Sequence, residues 1–246
     1  MSKQMGCGEE MNRFKQLLTI VVILYGITPS VMASDANDID PYEDLNRVTH
    51  RFNETLDDYV ARPVATFYQA SMPDPLEKGV VNIFRNLDEI TNVVNDVLQG
   101  KFAQAANDSG RFLINTTIGV GGLFDVAQRV GLPRSEGEDF AQTLGVWGVP
   151  DGPYLMLPFV GPSTLREAPS KFIDNFTNPY AHLDDESARH AVRAVSLVST
   201  RAELLGLDDV ISGDSYLFVR DVYLQRREYL TNDGAVEDDF GDLDDY

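Results

Sequence analysis

The segment Gly145–Glu167 reads GVWGVPDGPYLMLPFVGPSTLRE and decides what kind of fold this chain adopts. Between Gly145 and Leu165 it carries a single charged residue, Asp151, and the four prolines Pro150, Pro153, Pro158 and Pro162. Prolines at that spacing exclude an ordinary helix. The apolar centre, Tyr154–Val160, is also far shorter than the ~20 residues of a membrane-spanning helix. We therefore predict a Pro-rich, hairpin-like insertion at Gly152–Pro162, placed between helices.

On both sides of this insertion, apolar residues recur at the spacing of a helix. The segment Asp40-Pro-Tyr-Glu43 is typical of a helix start, with Asp40 as N-cap, and the apolar stripe Leu45–Tyr59 follows until Pro63 interrupts it. Further helices are predicted from Asp74 to a stop at Gly100, over Phe102–Asn115, over Glu186–Leu205 with Gly206 closing it, and from Tyr216 to Leu230 after an Asp214 cap. In the helix after Glu186, the residues expected to face inward are Ala188, Val192, Val195, Val198, Ala202 and Leu205. Because no alternating run is long enough for a sheet, the predicted class is all-α.

The two ends of the chain differ from the helical part in composition. A basic segment with Arg13 and Lys15, the apolar run Leu17–Ile27 and the small-residue site ending at Ala33 are typical of a secretory signal peptide. The predicted parts are this signal peptide over residues 1–33, a helical domain over residues 34–231 and a disordered acidic tail over residues 232–246. We expect no lipid-modified cysteine at the signal junction, because Cys7 precedes the apolar run and Ala33-Ser34 occupies the junction.

The net charge of −19 bears on possible partners of the protein. An acidic chain is repelled by nucleic acid and by anionic lipid headgroups, so no nucleic-acid partner is expected. If the protein meets a membrane, insertion of apolar side chains must supply the binding energy. The alternative is a soluble periplasmic lipid- or ligand-binding module that never enters the membrane.

The sequence contains no pattern that predicts catalysis or metal binding. His50, His182 and His190 do not have the spacing of metal ligands, and neither a P-loop nor a G-x-S-x-G nucleophile elbow is present. The glycine-rich segment Gly119–Gly122 resembles a phosphate-binding loop, but it lacks the full dinucleotide fingerprint and no predicted strand precedes it. It is better interpreted as a chain reversal. We expect no catalytic residue, no metal and no cofactor.

Short motifs along residues 40–234 resemble those of the MlaA (VacJ) family. Its opening motif matches Asp40-Pro-Tyr-Glu-Asp-Leu-Asn-Arg47, and its most specific signature matches Thr143–Gly148, Gly152–Tyr154, Leu157–Phe159, Gly161-Pro162 and Thr164–Arg166. Motif residues expected to build the scaffold are Asn46, Arg47, Phe52, Asn53, Arg62, Pro63, Gly119, Gly121 and Gly122. Residues expected to line or gate a lipid path are Trp147, Pro153, Tyr154, Leu155, Leu157, Pro158, Phe159, Pro162 and Arg166.

The resemblance implies a ring of amphipathic helices in the inner leaflet of the outer membrane of a Gram-negative bacterium. Its central channel would remove misplaced phospholipid from the outer leaflet and pass it to a periplasmic lipid-carrier protein, in association with a trimeric porin. The insertion Gly152–Pro162 would wall or gate that channel, or else lie buried as a hairpin in an ordinary core. Family members are usually anchored by a lipidated cysteine at the signal junction, and this sequence departs from that pattern.

Overall fold

The computed structural model describes residues 39–210 and 213–235, so the predicted signal peptide and most of the acidic tail lie outside the described residues. The helices are α1 (Glu43–Leu56), α2 (Arg62–Ser71), α3 (Asp74–Gln99), α4 (Phe102–Thr117), α5 (Val126–Arg129), α6 (Phe140–Val146), α7 (Glu167–Thr177), α8 (Glu186–Leu204) and α9 (Ser215–Thr231). A π-helical turn (Asp57–Ala61) joins α1 to α2, and 3₁₀ turns (Pro179–His182 and Leu205–Val210) lie on either side of α8. The strands β1 (Tyr154–Leu157) and β2 (Gly161–Thr164) form one antiparallel pair. The predicted all-α class with a hairpin-like insertion is confirmed.

The first helix differs from its prediction at both ends. The N-cap residue is Tyr42, not Asp40, and the Asp40 carboxylate instead accepts hydrogen bonds from Asn46 and Tyr216 inside the protein. Pro63 does not end the helix, because the chain passes through the π-helical turn before it. In this wide turn the Arg62 N–H bonds the Asp57 carbonyl, five residues back, and the helix continues despite the missing N–H of Pro63.

Other helix boundaries follow the expected signals. Gly100 ends α3 in a left-handed conformation at φ 79° that an L side chain adopts at a cost. The Asp214 carboxylate caps α9 by accepting from the N–H groups of Tyr216 and Leu217. The prediction that Gly206 closes α8 is wrong, because the chain continues as a 3₁₀ turn through that residue.

The elements contact one another in a closed circuit. α1 lies against β1, β2 against α9, α9 against α6, and α6 against α3. α3 in turn contacts α8, α8 contacts α2, and the π-helical turn returns the chain to α1. A small hydrophobic cluster of Tyr154, Met156 and Tyr216 lies between the hairpin and α9. The circuit places the hairpin between the first helix and the last.

Burial in this protein is inverted relative to a water-soluble domain. Among the described residues, twenty-two polar or charged residues are buried and only nine hydrophobic ones, while thirty-five large hydrophobic side chains are exposed. In α1 the buried residues are Asn46 and His50, whereas Leu45 is 66% exposed. A soluble monomer rarely exposes extensive apolar surface, so this surface indicates an apolar surrounding or a partner.

The inversion corrects the expectation for α8. Of the six residues expected to face inward, only Ala202 is buried, and Val195 is exposed. The small polar residue Ser199 takes the other buried position of this helix. Spacing alone locates an apolar stripe but does not decide whether the stripe faces a protein core or lipid. Within the described ranges, no helix is both long and apolar enough to cross a bilayer.

Candidate functional site

The hairpin has one buried and one partly exposed face, as alternation along a strand requires. Tyr154 and Met156 of β1 are buried, while Leu155 and Leu157 between and after them are only half-buried. Tyr154 pairs with Thr164 and Leu157 with Gly161, next to the turn. Pro162 pairs with Met156, and its carbonyl accepts a hydrogen bond from Lys171 at 3.3 Å. The base of the hairpin is therefore part of the packed interior.

Two asparagines of α1 hold the free edge of β1. The Asn46 amide donates to the Tyr154 carbonyl at 3.1 Å and accepts from the Met156 N–H at 2.9 Å. Asn53 repeats the arrangement two helical turns later. Its amide donates to the Leu157 carbonyl at 2.9 Å and accepts from the Phe159 N–H at 2.9 Å. Seven residues of helix rise ~10.5 Å, and three residues of strand rise ~10 Å. The two amides thus match the strand and replace a third strand at this edge.

The tip of the hairpin projects from the protein. Phe159 is 74% exposed and adopts a left-handed backbone at φ 65°, and Pro158 and Val160 beside it are exposed as well. Its ring contacts Phe52 edge to face, with centroids 5.1 Å apart. A bulky residue in a left-handed conformation is unusual. The tip is an apolar, strained turn that α1 holds through the Phe52 ring and the Asn53 hydrogen bond.

The region before and after the hairpin is fixed by Arg166. This buried guanidinium donates to the Val149 carbonyl at 2.7 Å and pairs with Asp151 at 2.5 Å. The Pro153 carbonyl accepts from the Leu165 N–H at 3.1 Å, which closes the hairpin base. Trp147 is 55% exposed, and its indole N–H donates a hydrogen bond to the Leu98 carbonyl at 3.2 Å. Arg166 therefore fixes the chain on both sides of the hairpin, and Trp147 is an exposed side chain bound to the end of α3.

The scaffold residues of α1 and α2 lie in ion pairs on the neighbouring elements. Arg47 pairs with Asp214 at 2.8 Å and lies over the Tyr216 ring, 4.5 Å from its centroid. Arg62, next to Pro63, lies 3.4 Å from Asp208 and joins the turn after α8 to α2. These contacts hold α1 to the start of α9, and α2 to the 3₁₀ turn that follows α8.

Arg111 of α4 is the centre of a buried ionic network. The side chain is 0% exposed, and it donates to Glu89 at 2.8 Å, to Asp125 at 3.0 Å and to the Leu132 carbonyl at 2.8 Å. Burial alone would raise the pKa of Asp125, but the hydrogen bonds from Arg111 and Asn115 lower it below its usual value. A buried charge without such partners would be strongly destabilising.

The glycine-rich segment is a chain reversal, as predicted. A Cβ at Gly119 would lie 2.3 Å from the Phe124 carbonyl oxygen, and Gly122 has φ 90° beside Asn86. Gly121 is also left-handed, at φ 69°. The Asn115 side chain accepts from the N–H groups of Val126 and Ala127, so α4 fixes the chain after the reversal. Only glycine fits where the two backbones approach this closely.

A polar cavity of about 400 Å³ opens between α3, the residues just before α6, and α7. Its charged lining consists of Asp88, Glu138, Asp139, Glu167, Asp174 and Lys171. Arg227 of α9 pairs bidentately with Asp139, at 2.5 and 3.0 Å. Burial, and then the charge of Asp139, raise the pKa of Asp174 to about 6. No group of residues within the described ranges has the arrangement of a metal site.

The sequence predictions missed most of the polar interior. The hairpin and its asparagines were identified, but Glu89, Asp108, Asp139 and Arg227 were not, although each carries a buried or half-buried charge. The available signal is the periodic placement of polar residues opposite the apolar stripes, a pattern that a solvent-facing surface shows as well. Polar periodicity opposite an apolar stripe has two interpretations, and only the contacts between helices distinguish them.

Comparison with known proteins gives this architecture a family. Residues 38–230 match the family model "MlaA lipoprotein". The intermembrane phospholipid transport system lipoprotein MlaA of Escherichia coli (strain K12) is 37% identical over 223 residues, which cover 83% of this chain and 88% of that protein. The protein of the same name from Haemophilus influenzae is 29% identical, with 90% of this chain and 92% of the relative covered.

A solved structure supports the same relationship in three dimensions. The chain described under "Structural basis for maintenance of bacterial outer membrane lipid asymmetry" is 37% identical and has a TM-score of 0.71. The similarity covers 78% of this chain and 99% of that one. The helical circuit with its Pro-rich hairpin and the match over residues 38–230 lead to one conclusion: this chain belongs to the MlaA family.

Proposed function

We propose that this protein transports phospholipid between membranes and so maintains the lipid asymmetry of the outer membrane. The observation that carries the proposal is the inverted burial, a polar interior enclosed by exposed apolar side chains, in a member of the MlaA family. A lipid in transit needs a polar route for its headgroup and an apolar one for its acyl chains. An inverted helical circuit offers both.

The apolar exterior supports a location in the inner leaflet of the outer membrane. Half of a bilayer core is only ~15 Å deep, so short helices joined by bends can lie within it. Burying several large apolar side chains contributes ~1.5–3 kcal/mol each, which does not depend on charge. Exposed residues such as Leu45, Phe67 and Leu197 are the groups that would face acyl chains.

The hairpin tip supports a gating role at the lipid path. Its base is held by Asn46 and Arg166, while its tip at Phe159 is exposed and bound by the Phe52 ring and by one hydrogen bond to Asn53. A fixed base and a weakly held tip allow the tip to move without unfolding the helices. The polar cavity beside α7 would admit water behind it. In this scheme the protein associates with a trimeric porin in the outer membrane and passes phospholipid to a periplasmic lipid-carrier protein.

A lipid-asymmetry assay tests the proposal. The chain is expressed in a Gram-negative strain that lacks its own MlaA-family protein, and outer-leaflet phospholipid is measured. We expect surface phospholipid to return to the level of the parent strain. Failure to lower it, with the protein present in the outer membrane, would contradict the proposed function. Recovery of the protein in the soluble periplasmic fraction would instead support a soluble lipid-binding module.

A further inference from the structure

A second cavity, of about 880 Å³, lies away from the hairpin. It is formed by the first half of α3, the glycine-rich reversal, α5 and the end of α8. Its volume is within the ~300–1,000 Å³ typical of ligand pockets. None of the residues assigned above to the hairpin or the first cavity lines it.

The charge of this cavity is opposite to that of the chain. Its charged lining consists of Lys78, Arg85, Arg129 and Arg134 with only two carboxylates, Asp125 and Glu203. Arg85 forms an ion pair with Glu203 at 2.7 Å, and Arg134 forms one with Asp125 at 3.2 Å. Lys78 and Arg129 have no ion-pair partner among the described residues. In a protein of net charge −19, two cations are thus left available at one opening.

The cations of this cavity also repel one another. Burial, and then the charge of Arg85, lower the pKa of Arg134, and Arg111 adds to the effect from behind. The Asp125 carboxylate does not fully neutralise Arg134, because it also pairs with Arg111 at 3.0 Å. An anion bound between these side chains would relieve the repulsion and would form charge-assisted hydrogen bonds.

One side of the cavity is apolar. Pro75, Leu123 and Phe124 contribute to its lining, and Phe124 is 54% exposed. Leu76, next to Pro75, is also exposed on the same helix. Cations therefore meet an apolar surface at a single opening, which is the pattern that fits a molecule with a negative head and hydrocarbon chains. The first cavity, with five carboxylates and one lysine, would repel such a head.

We propose that this cavity binds the phosphate of a phospholipid headgroup through Lys78 and Arg129, with the acyl chains against Leu123 and Phe124. The inference rests on the proposed lipid transport and deepens it by adding a headgroup site outside the hairpin. Arg85 and Arg134 contribute positive potential while retaining their carboxylate partners.

Binding to the purified full chain in uncharged maltoside micelles tests the proposal. The probe is dihexanoylphosphatidylglycerol below its critical micelle concentration, titrated calorimetrically with a protein-free micelle titration subtracted. We expect K78Q combined with R129Q to weaken binding by about tenfold or more, since each removed cation loses a charge-assisted bond. The matched control R51Q removes an exposed arginine outside the cavity and should leave the affinity unchanged. The double variant and R51Q should both keep the unfolding midpoint of the unmodified protein. None of Lys78, Arg129 and Arg51 has an ion pair to lose among the described residues.

Inorganic phosphate provides the second arm of the experiment. We expect it to bind at least about tenfold more weakly than the short-chain lipid, because it gains nothing from the apolar wall. Equal affinity for both probes, or a double variant that binds as tightly as the unmodified protein, would overturn the assignment. These outcomes leave lipid transport itself standing if the unmodified chain still restores outer-membrane asymmetry, so the two proposals fail separately.

Discussion

Replacing Phe159 with aspartate should separate a role in transport from a role in folding. The side chain is 74% exposed, so the substitution removes little buried area. It loses the edge-to-face contact with Phe52, which is worth about 0.5–1.5 kcal/mol. It also relieves the left-handed backbone at φ 65°, which costs a non-glycine residue about 1–2 kcal/mol and which aspartate tolerates better.

These two effects nearly cancel. We expect F159D to change the free energy of unfolding by no more than about 1 kcal/mol, or about 2–4 °C in unfolding midpoint. Tyr154, the first residue of β1, is 0% exposed and provides the contrast. Truncation to alanine there should cost about 3–5 kcal/mol and lower the midpoint by roughly 10 °C.

Transport should respond in the opposite way. A carboxylate at the hairpin tip would face acyl chains, where an isolated charge is costly. We expect F159D to leave phospholipid in the outer leaflet, while the apolar control F159L restores asymmetry. Thermal unfolding in detergent and surface phospholipid in cells are both measured. If F159D collapses the midpoint as Y154A does, or transports at full activity, the proposed gate is refuted.

Three further substitutions test the polar interior. N46A should lower the free energy of unfolding by about 2–4 kcal/mol in chemical unfolding, because it removes the Asn46 partner of the Tyr154 carbonyl and the Met156 N–H and one of several donors to Asp40; an unchanged midpoint would show that Asn46 does not hold the edge of β1. R111M should lower the free energy of unfolding by about 3–5 kcal/mol, because Glu89 and Asp125 lose the Arg111 guanidinium as a partner; an unchanged free energy would show that water solvates this network. Burial, and then neighbouring carboxylates, raise the pKa of Asp96 to about 7, and its oxygens accept no hydrogen bond from described residues. Ionisation therefore destabilises the native state as pH rises from about 4 through 7, so D96N should stabilise the protein more at pH 8 than at pH 5; equal gains at both would exclude this titration.

The sequence predicts the elements of this fold better than their orientation. Proline spacing predicts the hairpin and the Asp214 cap predicts α9, because both are local effects of backbone geometry. The passage of the helix through Pro63 was not predictable from proline statistics, since a π-helical turn upstream removes the conflict. Asp40 is predicted to cap its own helix, whereas its carboxylate binds Asn46 of that helix and also Tyr216 and Arg220, which lie far away in α9.

The orientation of the helices could not be obtained from periodicity. An apolar stripe such as Leu45–Tyr59 has the same spacing whether it faces a core or lipid. The distinction comes from what the opposite face contacts, and here Asn46 contacts the hairpin backbone. Buried pairs such as Arg227 with Asp139 join residues far apart in sequence, so no local pattern marks them.

Fluorescence of the sole tryptophan, Trp147, tests the apolar exterior most directly. The side chain is 55% exposed beside the hairpin, and no substitution is needed to use it as a probe. In reconstituted bilayers, we predict that phospholipids brominated along the acyl chain quench its emission, while aqueous iodide does not. Quenching by iodide, without any effect of the brominated lipids, would show that this surface faces water and would contradict an embedded helical ring.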